Sequence, residues 1–80
     1  MSAYIPPKKS MHLLILMINY RIVTFKDQQI YENIHSFKNA MKQMRLNGLV
    51  EARRINGCMN EYKCTQKGQK LGVALYELAA

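Results

Sequence analysis

Lys38, Asn39, Lys42, Gln43 and Arg45 fall within eight consecutive residues, and no acid interrupts the chain between Phe37 and Val50. Lysine and arginine pair with phosphate oxygens or guanine, while asparagine and glutamine make paired hydrogen bonds to adenine. A second group follows: Arg53, Arg54, Asn56 and Lys63. The chemistry open to these side chains is non-covalent, holding an anion and reading polar edges. Acid–base or nucleophilic chemistry has little to work with. The five acids, Asp27, Glu32, Glu51, Glu61 and Glu77, are scattered rather than paired. There is no glycine-rich phosphate loop, no Gly-x-Ser-x-Gly and no His-Glu-x-x-His. His12 and His35 lack metal-ligand spacing, and Cys58 and Cys64 form neither a disulfide framework nor a Cys-x-x-Cys pair. An enzyme is not expected, nor a metal or cofactor.

The bulk composition agrees with a binding role. Twelve Lys and Arg against five Asp and Glu give a formal charge of +7, with a pI near 9.7. That balance favours a polyanion, either nucleic acid or an anionic membrane surface. Eighty residues, 49% of them apolar, suffice for one small domain with a single core. The longest apolar run, Leu13 to Ile18, is far short of the ~20 residues that cross a bilayer. The opening "MSAYIPPKKS" lacks a secretory pattern. A cytoplasmic, nucleoid-associated protein is expected, with no membrane partner.

The elements that must position these side chains are legible in outline. "MSAYIPPKK" reads as an extended arm over residues 1–9, since its prolines restrict their neighbours to open conformations. Ser10 is then a candidate cap for a first helix reaching Tyr20, apolar on nearly every side. "RIV" is enough for a stub of strand. Thr24, with Asp27 three residues on, predicts a short second helix whose inward edge is Ile30 and Ile34. Ser36 is the expected cap of the third helix, in which Phe37, Ala40, Met41 and Met44 form one apolar stripe. Gly48 closes that helix in a left-handed conformation. "LVEARRI" and "EYKCT" predict a hairpin around "NGCMN", and Thr65 caps a last helix with Leu71, Ala74, Leu75 and Leu78 on one side.

The stretch from Thr24 to Gly68 resembles the winged helix-turn-helix superfamily, particularly small regulators of the MarR, ArsR and PadR kind. The resemblance is carried by "SFKNAMKQM", by Gly48-Leu49-Val50 shortly after it, by the hairpin, and by "YKCTQKG". The last is similar to a Tyr-x-Leu-Thr-x-x-Gly entry into the final helix, with Cys64 where leucine is usual. The resemblance implies a mainly α fold with a small β-hairpin over residues 10–80: helix, short strand, helix, helix, β-wing, helix. It also implies that the wing follows the backbone or minor groove of a duplex.

The expected function is therefore sequence-specific binding of double-stranded DNA by a transcriptional regulator. The third helix would enter the major groove, with Lys38, Asn39, Lys42, Gln43 and Arg45 outward because the methionine edge faces the core. Ser36 would seat a phosphate at the helix start. Arg53, Arg54, Asn56 and Lys63 would serve from the wing, with Lys8 and Lys9 adding affinity. Strand alternation sends Arg53 and Arg54 to opposite faces, so both reach DNA only if the wing twists near its tip. A first helix apolar on several sides predicts a homodimer through Leu13, Leu16, Met17, Leu75 and Leu78. No effector pocket is legible. The alternative is a winged-helix module that docks on a larger protein complex, its charge serving solubility or an acidic partner.

Overall fold

The structure, a computed structural model, describes residues 4–27, 31–57 and 59–79. It is a small mixed α/β domain of three α-helices and one two-stranded antiparallel hairpin. Helix α1 spans Lys8–Leu16, α2 Ile34–Leu46 and α3 Gln66–Ala79, while β1 (Val50–Asn56) pairs with β2 (Met59–Cys64). A 3-10 turn, Phe25–Asp27, lies between α1 and α2. The expected stub of strand reduces to Val23, whose N–H donates to Tyr62 O at 2.8 Å while its O accepts from Tyr62 N–H at 2.8 Å.

Helix α1 starts and stops earlier than its sequence pattern suggests. Pro7, not Ser10, stands at its N-terminus, and Met11 N–H donates to Pro7 O. Proline loses nothing there, because no helical partner exists for its missing N–H. Lys8 and Lys9 therefore belong to the first helical turn and not to an arm. Ser10 lies inside the helix, 1% exposed, with its hydroxyl 3.0 Å from that of Tyr31. At the other end the helix stops at Leu16 because Asn19 (φ 68°) and Tyr20 (φ 59°) turn left-handed. The Gln69 side-chain oxygen accepts from both their N–H groups, so α3 holds the turn in place.

The expected helix from Thr24 is not what forms. Its start is the 3-10 turn, Tyr31 to Asn33 are bent, and the intervening Ile30 lies outside the described residues. Aromatic packing takes precedence over the local pattern. Phe25 and Tyr31 both set a ring edge-on to Phe37, at 5.4 and 6.0 Å between centroids. Ile34, expected on the inward edge of that helix, opens α2 instead and is 39% exposed.

Helix α2 is capped by Asn33, not Ser36. Asn33 is extended (φ −146°, ψ 162°), and its side chain accepts from Ser36 N–H at 2.9 Å. Both residue types cap well, and capping from Asn33 adds a turn that includes Ile34 and His35. The far end follows expectation. Gly48 is left-handed (φ 74°), Gly48 N–H donates to Arg45 O, and Leu49 N–H reaches back to Met44 O. Those two bonds satisfy carbonyls that the helix end would otherwise leave open. Thr65 caps α3 as expected: its hydroxyl oxygen accepts from Gly68 N–H at 3.1 Å, and its hydroxyl donates to Gly48 O.

The core joins all these pieces. Leu13, Leu14 and Met17 of the first helix and its exit turn meet Phe37, Met41 and Met44 of α2, with Val23, Leu49, Val50, Tyr62 and Cys64 below. The methionine edge of α2 thus points inward, as its spacing predicts. Leu13 and Met17 correct a second expectation. Both are 0% exposed within one chain, so neither is available to a second subunit. Two elements of the single chain pack against the greasy sides of α1: α3, most extensively, and α2. Gly72 is what lets α3 come so close, since a Cβ there would sit 2.9 Å from Leu14 O.

Candidate nucleic-acid interface

Burying Phe37, Met41 and Met44 sorts the rest of α2 into two flanks. At about 100° per residue, positions four and seven apart share a row. Lys38, Lys42 and Arg45 form the row towards the hairpin; Ser36, Asn39 and Gln43 form the row towards the start of α1. Lys38 is half-buried and the other five are exposed.

The hairpin row looks onto a groove. Lys38, Lys42 and Arg45 share it with Ala52 and Arg54 of β1 and Asn60 and Tyr62 of β2. Four cationic side chains line it, and no acid does. Among the described residues the one ion pair is Arg53–Glu61, which lies elsewhere, so these cations meet no carboxylate there. Arg45 has a second role. In the last turn of α2 it complements the negative end of the helix dipole.

The other row borders a shallower hollow whose far wall includes Tyr4, Pro7, Lys8 and Lys9. Lys9 Nζ lies 5.6 Å from the centre of the Tyr31 ring, within range of a cation–π contact. Tyr4 packs onto the core beneath, and burial, with Tyr31 nearby, pushes its hydroxyl pKa up. Ser36 is less of an anion seat than expected. Asn33 already takes its N–H, which leaves Ile34 and His35 to offer free amides.

The hairpin divides the expected wing residues between its faces. Arg54 shares the α2 side with Ala52, Asn60 and Tyr62. Arg53 and Lys63 lie on the opposite side with Glu51, Glu61 and Ile22. There the register sets Glu51 against Lys63 and Arg53 against Glu61, the latter with 3.9 Å between charged atoms. Charge on that side is balanced; on the α2 side it is positive. No twist brings the two arginines together, so Arg53 and Lys63 stand apart from the groove. Asn56 lies near the hairpin tip, in a small apolar niche walled by Phe25, Phe37 and Tyr62 and rimmed by Lys26 and Lys38. Cys58 lies outside the described residues.

Two groups at this surface went unremarked in the sequence. Asn60 was open to period-two counting from Tyr62, whose hydroxyl accepts from its amide at 3.3 Å. Lys26 was not, because the 3-10 turn that places it has no periodic signature. Cys64 is 1% exposed, and burial pushes its thiol up to about 11. It stays protonated at neutral pH and is no nucleophile. Among the described residues no three His, Cys, Asp or Glu side chains gather as a metal would require, and no helix is long and apolar enough to cross a membrane. The chain matches no protein-family model, no curated protein and no solved structure.

Proposed function

We propose that this chain is a winged helix-turn-helix protein that binds double-stranded DNA in a sequence-dependent way and acts as a transcriptional regulator at the nucleoid. One observation carries the reading. The edge of α2 bearing Phe37, Met41 and Met44 is at most 1% exposed, which turns Lys38, Lys42 and Arg45 to the surface beside Arg54 in an acid-free groove. A helix of this length, about 20 Å, fits along the major groove, and its outermost polar side chains, Asn39 and Lys42, then meet base edges. Arg54 reaches the flanking phosphates or minor groove. Lys8, Lys9 and the first-turn amides of α2 lie on the other flank and take the adjacent backbone. The order of elements, with a strand bridge at Val23 preceding α2 and the hairpin following it, supports the winged-helix assignment.

A homodimer belongs to the same proposal. With Leu13 and Met17 enclosed, its candidates are Leu16 (42% exposed), Leu78 (84% exposed) and the half-buried Leu75. A two-fold through that face presents two copies of α2 to half-sites about one helical turn apart. Selection of bound sequences from a random duplex pool tests the reading directly. The expected outcome is enrichment of a short motif, repeated in inverted orientation. A pool that stays unenriched after repeated rounds overturns it in favour of the interaction-module reading.

A further inference from the structure

Among the described residues, strand β1 has a hydrogen-bonded partner strand on one side alone. Tyr62 spends both its N–H and its O on Val23. In an antiparallel ladder successive residues direct their backbone groups to opposite sides, so Glu61 and Lys63 bond β1, through Arg53 and Glu51. It follows that Val50, Ala52 and Arg54 aim their N–H and C=O groups away from β2. Among the described residues no strand lies there, and residues 51–56 are exposed throughout. An open edge of this kind is a template for another strand.

We propose that this edge takes the β1 strand of a second copy of the chain, antiparallel, about a two-fold axis through Ala52. The charges choose both occupant and register. With Ala52 opposite its own copy, Glu51 faces the second copy's Arg53, and Arg53 faces the second copy's Glu51. Glu61 and Lys63 already oppose these residues within each hairpin. One row across the four strands therefore reads Glu61, Arg53, Glu51, Lys63, with signs alternating at every step. The symmetric row reads the same from the other copy.

Neighbouring registers fail. An axis through Glu51 sets carboxylate against carboxylate, and an axis through Arg53 or Arg54 sets guanidinium against guanidinium. Like charges directly opposite are unfavourable. Charged residues on an exposed edge usually guard it against pairing; here they guard against every central register but one. Ala52 at the axis is small, so nothing bulky separates the two backbones. An axis perpendicular to the sheet leaves both α2 helices, and both Arg54 side chains, on the same side of the joined sheet. The contact is distinct from the one involving α1 and α3, and it does not rest on DNA binding.

Disulfide trapping reads the register without DNA. In a Cys58→Ser background, Ala52→Cys places two thiols on a hydrogen-bonded pair with about 5.5 Å between Cα atoms, within disulfide range. Ile55→Cys is the control, since this register puts its two copies about 20 Å apart along the strands. Mild oxidation at low salt should give a covalent dimer with Ala52→Cys and little with Ile55→Cys. Equal yields, or none with Ala52→Cys, overturn the proposal and leave the edge to an extended segment of some other chain. Ala52→Pro supplies a second readout, because the N–H it removes points out of the hairpin. Its circular dichroism should be unchanged while trapping at a Glu51→Cys/Arg53→Cys pair, one on each copy and both exposed, is lost. Undiminished trapping with proline present contradicts the edge contact.

Discussion

Glycine 68 shows how a single side chain, or its absence, sets the geometry of the groove. It lies in the first turn of α3, and a Cβ built there would sit 1.9 Å from Leu49 O. That oxygen already accepts from Thr65 N–H at 3.1 Å, so the end of α2, the start of β1 and the start of α3 meet at one point. Backbone cannot yield as a flexible side chain would. Gly68→Ala is expected to cost about 3 kcal/mol, at the upper end of overpacking effects, measured as a shift in the urea midpoint with an unchanged slope. A midpoint within 0.3 M of wild type would mean that the three elements are not so tightly joined. The two arginines of β1 illustrate the same scale in charge. Adjacent in sequence, Arg54 joins an acid-free groove while Arg53 lies over Glu61, and only the structure says which of them shares a side with α2.

Among the elements, α2 decides the most, and its start is where sequence and structure part. Asn33→Ala removes the acceptor of Ser36 N–H and should cost about 1 kcal/mol, seen as a fall of roughly 4–8 °C in the melting temperature for a domain of this size. Ser36→Ala should shift the same melt by no more than about 0.5 kcal/mol of stability. The reverse ranking would restore Ser36 as the cap. Features written in local chemistry were readable beforehand: the Phe37–Met41–Met44 stripe, the left-handed Gly48, the reversal after Asn56 and the Thr65 cap. Each depends on residues within a turn or two of one another. The choice of Asn33 over Ser36, which lengthens α2 by a turn, is local but turns on two residues that both cap well. The rest of what escaped depends on contacts further along the chain, such as the rings of Phe25 and Tyr31 packed on Phe37 beside the 3-10 turn. Gln69, fifty residues on from Asn19, ends α1 early. The all-round greasiness of α1 was legible, but not that α3 and α2 pack against it within one chain, leaving Leu13 and Met17 no surface to offer.

For the molecule as a whole, charge is distributed unevenly over a small body. On the far face of the hairpin Glu51 and Glu61 balance Arg53 and Lys63, whereas four of the twelve cations gather, with no acid, where α2 and the hairpin share a groove. Binding to a polyanion through that groove releases counterions, so affinity must fall as salt rises. The most direct measurement is the slope of log K against log[salt] for a random duplex, taken with the wild-type chain, with Arg54→Ala and with Arg53→Ala. Each phosphate contact contributes about −0.9 to that slope. A groove that holds the duplex predicts a steep wild-type slope, made shallower by about 0.9 in Arg54→Ala and left alone in Arg53→Ala. A flat wild-type response, or a loss that falls on Arg53 and spares Arg54, would contradict it.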